Sequence, residues 1–559
     1  MQVFLEAIKF NHDQSSATGD AFNIRRNENE PVNVPEWRQG ISVKPEDSPA
    51  AYAIRETRGH ILTIKAQFSS TDISNAKVLV RAVAARPRRL RSGLIGFLLR
   101  AFSLVRPPLS PNILGEVKER PIEFNAAGET GFESFELQNV RLRRTGVSVS
   151  NTEWRWQFRV KSDDPWIDFA LTKHRIYTVL EIPKCPWQQT PVDDESQTQM
   201  PWADALEYAC DWAAGAQDLD EAATLVTRGI NDLGLDRVRY SGSSLYSCPN
   251  FNCTEFLDLL QGGTGMGTGM NCSDCATAIS SFANLVGCNL RQVQLGPDEI
   301  ITNLIREIGS TTEFRTEFFG HEVAWNGAAT EEGNLFDACI QVDGDEHPDT
   351  PPFAALLPTN IRLGTVAEKH YRFRLNPGLI LLPDTLTCRK IGYSVSGDCR
   401  PLDKAALEFL KRRYDYDSWS NGIASTTRPL SVDHAFLQRG LSQWKLKVPV
   451  QQPNFASPVK GFQSLWFPQG DQQMLLRLDV FELPTAQAAR EFMLHELGEF
   501  HQLRVRRLFD QSIGDVSFEE DGDKSVIFAR DQFVFLVRSV GRKAIPVRQI
   551  ASTINQLLS

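Results

Sequence analysis

The reading of this chain turns on residues 269–287, Gly-Met-Asn-Cys-Ser-Asp-Cys-Ala-Thr-Ala-Ile-Ser-Ser-Phe-Ala-Asn-Leu-Val-Gly. Gly262, Gly263, Gly265, Gly267 and Gly269 make the approach to it a flexible loop. Asn271 suits an N-cap, where its side chain accepts one of the N–H groups that a helix start leaves unpaired. Asp274, three residues on, completes a capping box. Ile279, Phe282, Ala283 and Val286 then recur at helical spacing, and Gly287 supplies the left-handed residue that stops the helix. Cys272 is thereby the first residue of a largely buried helix, where unpaired N–H groups and the positive end of the dipole favour a thiolate. It is a candidate nucleophile, with a packed or capping cysteine as the plain alternative.

A thiol nucleophile needs a base to take its proton and a third group to hold that base in the right tautomer. Residues 319–325, Phe-Gly-His-Glu-Val-Ala-Trp, alternate as a strand with His321, Val323 and Trp325 on one face. Residues 335–342, Leu-Phe-Asp-Ala-Cys-Ile-Gln-Val, alternate with Asp337, Cys339 and Gln341 on one face. The turn-rich stretch between them predicts an antiparallel hairpin. With Trp325 paired to Gly333, His321 falls opposite Asp337, about 5 Å apart at Cβ and within reach of an imidazole–carboxylate hydrogen bond. Separately, each has an ordinary reading: His321 a core histidine bonded to a carbonyl, Asp337 a turn residue or part of an acidic edge with Asp343 and Asp345.

The order Cys272, His321, Asp337, with Cys-x-Asp-x-Ala at 272–276 and helices expected over 202–233, resembles the core of transglutaminase-like cysteine enzymes, which share a papain-like fold. The resemblance covers roughly residues 200–345. It implies a Cys272–His321–Asp337 triad that forms a thioester on an amide substrate, followed by hydrolysis, as in a protease or amidase, or by transfer to an amine. The chain departs from the family in the length of its Gly-rich loop and in having Cys275 where an aromatic or aliphatic residue is common. No side chain is assigned to the oxyanion hole.

The same cysteines carry a rival. Cys248, Cys253, Cys272 and Cys275 form two close pairs that could close a tetrahedral zinc site, which would make the chain a zinc-stabilised or catalytically inactive interaction protein. Cys272 and Cys275 also read as a dithiol at a helix start, although no strand runs directly into them as in a thioredoxin-like unit. His495 and His501 are six apart and do not share a helix face, so the metalloprotease pattern fails. The Gly-rich loop lacks the Lys-Ser/Thr ending of a phosphate loop. Cys388 and Cys399 bracket a short loop and are expected to be unpaired thiols. On the enzyme reading no metal or cofactor is expected.

The 559 residues exceed one core, and roughly 100–200 residues per domain suggests several. Residues 1–195 hold short β-branched and aromatic runs separated by Gly, Pro and Asn, as in a β-sandwich, with Trp154 and Trp156 sharing a core face. Residues 185–200 read as a linker. The expectation is thus a multidomain α+β chain: a β-sandwich over 1–195, the transglutaminase-like domain over 196–425, and a small α+β domain over 426–559. A net charge of −9 argues against a general nucleic-acid partner, and a protein or peptide substrate is what the resemblance implies. The longest apolar run, residues 93–105, is broken by Arg100 and falls short of the ~18 residues of a membrane span. An interfacial helix there is the alternative to a segment packed on its own domain. The opening residues, Met-Gln-Val-Phe-Leu-Glu, show no basic export segment, and ten cysteines are too few for a disulfide scaffold, so a reducing cytoplasm is expected.

Overall fold

The computed structural model describes residues 2–13, 19–27, 30–41, 44–85, 112–183, 200–247, 251–326, 333–353, 360–362, 370–376, 383–387, 404–421, 432–447, 459–498, 500, 505–509, 512–520, 522 and 524–558. It is a mixed α+β chain that divides into two compact units. The first takes residues 1–187, 198–226 and 282–288; the second takes 188–197, 227–281 and 289–559. Residues 426–559 share a unit with residues 269–281 of the cysteine stretch, whose end, 282–287, is grouped with the N-terminal strands along with the helix Ala203–Trp212. The segment 93–105, residues 185–199 of the expected linker, and Cys388 and Cys399 lie outside the described residues.

The first unit is built on nine strands: β1 (Val3–Lys9), β2 (Trp37–Arg38), β3 (Ala50–Ala53), β4 (Thr63–Ser70), β5 (Lys77–Ala84), β6 (Glu116–Glu123), β7 (Glu133–Gln138), β8 (Ser148–Arg159) and β9 (Ile167–Val179). They form one sheet in the order β2-β1-β4-β7-β6-β5-β8-β9-β3. Where two stacked sheets were expected, the ladder is continuous and curled, because β6 and β7 join its halves through Glu116↔Gln138 and Val117↔Leu137. Alternation along the strands sends Ile64, Ala66, Phe68, Val78, Val80 and Ala82 into one core. Trp154 and Trp156 both point into it, their rings edge-on at 6.2 Å. Each indole N–H has a partner, Gly115 O at 2.9 Å and Thr172 Oγ1 at 3.1 Å, as buried tryptophans require.

The second unit carries the site. A parallel pair, β10 (Arg239–Tyr240) with β11 (Gly269–Met270), runs into the cysteine helix Cys272–Leu285, where the sequence reading expected no strand just ahead of Cys272. Its hairpin sheet contains β12 (Arg291–Ile301), β14 (Glu317–Trp325), β15 (Asn334–Phe336), β17 (Asn360–Arg362) and β18 (Pro383–Thr387), in the order β17-β15-β14-β12-β18. A separate short pair joins β13 (Ile305–Glu307) to β16 (Ile340–Val342). The predicted strand 335–342 is therefore two strands in two sheets, broken at Asp337.

The remaining strands, β19 (Trp444–Leu446), β20 (Lys460–Pro468), β21 (Leu476–Glu482), β22 (Val505–Leu508), β23 (Val516–Glu520), β24 (Ser525–Arg530) and β25 (Phe533–Ser539), form a seven-stranded antiparallel sheet ordered β19-β20-β21-β25-β24-β23-β22. Near-continuous apolar runs such as Phe533-Val-Phe-Leu-Val suit a strand buried on both faces. One face packs against the helix Ala486–Gly498 through Met493 and Leu497, the other against Val547–Leu558 through Ile550 and Ile554.

Candidate active site

The capping box forms as the sequence predicts. The Asp274 N–H donates to Asn271 Oδ1 at 3.1 Å, and the Asn271 N–H donates back to Asp274 Oδ2 at 3.3 Å. The helix begins at Cys272 and is followed by Gly287 with φ +103°, the left-handed residue foreseen. Cys272 is 1% exposed, so the thiol begins the helix inside the protein.

His321 lies on β14, opposite Leu295 of β12, and is wholly buried. The hairpin register is not the one predicted. Trp325 pairs with Leu335 rather than Gly333, which would place His321 opposite residue 339 had the ladder continued. It stops at Phe336, and Asp337 turns out of the strand. The His321–Asp337 contact nonetheless forms, Nε2 to Oδ2 at 2.8 Å. The other carboxylate oxygen accepts the N–H groups of Cys339 at 2.8 Å and Ile340 at 3.2 Å, an Asx-type turn that fixes the carboxylate.

Two residues absent from the sequence reading complete the arrangement. The Tyr371 hydroxyl donates to Asp337 Oδ2 at 2.7 Å, and its ring lies nearly parallel to His321, 8° apart with centroids at 6.5 Å. Tyr371 comes from a Pro-rich stretch with no periodic signal, which is why it was missed. Tyr240 pairs with Met270 across the parallel ladder, and its buried hydroxyl has no hydrogen-bond partner among the described residues. Burial first, then the sulfurs of Cys339 and Cys272, hold its pKa well above the ordinary tyrosine value, so it stays a donor.

With Nε2 engaged by Asp337, the ring nitrogen left for the thiol is Nδ1. Nδ1 has no fully formed hydrogen bond, yet Cys272 is close enough to act on the imidazole through both a side-chain interaction and its charge. Burial alone would lower the His321 pKa; the Asp337 charge and hydrogen bond outweigh it and, with Cys272, raise it to about 10. The imidazole is therefore cationic at neutral pH, a state that favours a thiolate beside it.

The Cys275 and Cys339 thiols interact with each other, and burial pushes both above the usual thiol range. Such thiols are poor nucleophiles. Cys248, one of the four cysteines of the zinc reading, lies outside the described residues. Among the described residues, Cys253, Cys272 and Cys275 do not bring three ligand atoms within 4.8 Å of one another; His12, Asp13 and Asp20 of the first unit do. The Gly-rich loop lines a cavity of about 190 Å³ with Gln473, Leu475, Val540 and Arg542, and neither Cys272 nor His321 reaches it. No described helix is long and apolar enough to cross a membrane.

No protein-family model matches this chain, and no curated protein matches it. Among solved structures, the crystal structure of red sea bream transglutaminase is similar to it with a TM-score of 0.23 and 9% identity, over 86% of this chain and 74% of that one. At that TM-score the likeness is too distant to build on. The chemistry below is drawn from this chain's own residues.

Proposed function

We propose that this chain is a cysteine-dependent enzyme of the transglutaminase-like type, acting on amide bonds of a protein or peptide through a thioester on Cys272. The observation that carries the reading is the buried imidazole of His321, bonded to Asp337 through Nε2 and left with Nδ1 for the thiol. The Cys272 thiolate attacks the carbonyl carbon, and the imidazolium gives its Nδ1 proton to the departing amine. Water or an acceptor amine then loses a proton to the same nitrogen as it attacks the thioester. Asp337 holds the tautomer throughout, and Tyr371 holds Asp337. The Cys272 N–H at the helix start and the Tyr240 hydroxyl are the donors we assign to the developing oxyanion.

Alkylation with iodoacetamide at neutral pH, mapped by mass spectrometry, tests this. Labelling concentrates on Cys272 in the native protein, is slowed in His321→Ala and disappears from that position in Cys272→Ala. Label spread evenly over the cysteines would refute the reading, and one tightly bound zinc per chain would replace it with the metal site. Incubation with peptides and a fluorescent primary amine then separates hydrolysis from transfer.

A further inference from the structure

The loop 242–247 has its two sides held by different parts of the second unit. The amides of Leu245, Tyr246 and Ser247 face the cysteine helix. Asp274 Oδ1 accepts from Tyr246 N and Ser247 N, both at 2.8 Å, and from Ser244 Oγ at 2.6 Å, while Oδ2 accepts from Leu245 N at 2.9 Å. Its carbonyls face the seven-stranded sheet. Arg477 donates to Leu245 O at 2.9 Å, and Arg538 donates to Ser244 O and Ser243 Oγ, both at 3.0 Å. Glu520 of the same sheet accepts from Gly242 N at 3.3 Å.

Arg477 and Arg538 sit directly opposite each other on β21 and β25. Like charges so placed repel. Asp479, two residues along on the same face, accepts from Arg477 Nε at 3.0 and 3.2 Å and pairs with Arg538. Asp274, Arg477, Asp479 and Arg538 are exposed by 0, 2, 1 and 5% respectively. Two carboxylates and two guanidiniums balance in charge, and the loop backbone takes up much of their remaining bonding capacity. A buried network of this kind tolerates little displacement, since moving one member strands the others.

We propose that Arg477, Asp479 and Arg538 are positioning residues for Cys272: the sheet fixes the loop, the loop fixes Asp274, and Asp274 fixes the helix start on which the nucleophile sits. The C-terminal sheet is thus a working part of the active site rather than an appended module. The inference rests on the proposed role of Cys272. It requires that loosening the sheet's grip change the reactivity of that sulfur while the fold persists.

The test is the pH profile of Cys272 alkylation by iodoacetamide, together with kcat and KM on an amide substrate, in the full-length protein. Arg538→Lys keeps the charge and loses the fork that holds the loop through Nη1 and Asp479 through Nη2 at once. Arg538→Met combined with Asp479→Asn removes the charge pair and leaves Arg477 Nε an amide oxygen to donate to. In both, near-UV circular dichroism reports that the fold is retained. The expected result is a Cys272 alkylation rate at neutral pH reduced about tenfold, with its profile displaced to higher pH, and a matching fall in kcat with KM little changed. If either variant stays folded with the native profile and kcat, the inference is wrong. Should Arg538→Lys fail to fold, the double variant decides. If Cys272 in the native protein is no more reactive than the other thiols, the proposed function fails first and this inference with it. Selective Cys272 labelling that survives in the variants overturns this inference alone.

Discussion

Asp337 accepts two hydrogen bonds on each carboxylate oxygen, from His321 and Tyr371 on one side and from Cys339 and Ile340 on the other. A hydrogen bond to a charged group contributes about 1.5–3 kcal/mol. Tyr371→Phe keeps the ring beside His321 and deletes only the donor. On the proposed mechanism it lowers kcat about tenfold, roughly 1.4 kcal/mol of lost orientation, with the thermal midpoint nearly unmoved. Steady-state kinetics alongside calorimetry checks both halves. His321 carries a pH signature of its own. The unfolded imidazole releases its proton near 6.5, while the native one holds it to about 10. Across that window the native state binds more protons, so this stabilisation is complete below the lower value and is lost as pH rises through the upper one. The difference in melting temperature between native protein and His321→Gln is therefore expected to shrink from pH 6.5 to pH 10.

At the scale of elements, the cysteine helix was legible because its signals are local. A capping residue, its partner three positions on, an apolar stripe and a terminal glycine all act within one segment. Asn271→Ala removes the cap and should cost about 1 kcal/mol, read as a shift in the denaturant midpoint at constant slope. Asp274, by contrast, was assigned only half its task. Its return bond to Asn271 follows from spacing, whereas its bonds to Leu245, Tyr246 and Ser247 join segments nearly thirty residues apart. The hairpin shows the same limit. Alternation placed His321 and Asp337 on facing strands, but the register moved by two residues, and the contact survived because Asp337 leaves the ladder in a turn. Alternation fixes which face a residue takes and says nothing about where a ladder ends.

For the whole molecule, the grouping of residues 227–281 with 289–559 is the largest departure from the reading by segments. The reading by segments set residues 426–559 apart as a small α+β domain. The structure instead ties that region to the approach to Cys272 through Arg477, Arg538 and Glu520, and through Thr268, whose N–H donates to Val540 O at 2.7 Å. Amides of residues 240–247 and of Phe533–Ser539 are accordingly expected to exchange with solvent as one cooperative set. Native-state hydrogen exchange in which the loop opens at much lower free energy than the strand would contradict this.

By itself the sequence determined the local frame: a capped helix starting at Cys272, a strand bearing His321, an aspartate at 337, and a β-rich first third with Trp154 and Trp156 inside. These follow from periodicity and capping, which operate over a few residues. Only the tertiary structure decided the rest: the curl that joins nine strands into one sheet, the hydroxyls of Tyr371 and Tyr240 beside the site, and the buried charges of β21 and β25. Those depend on long-range burial. Removing a polar group from water requires a partner, and no spacing along the chain says from how far away that partner will come.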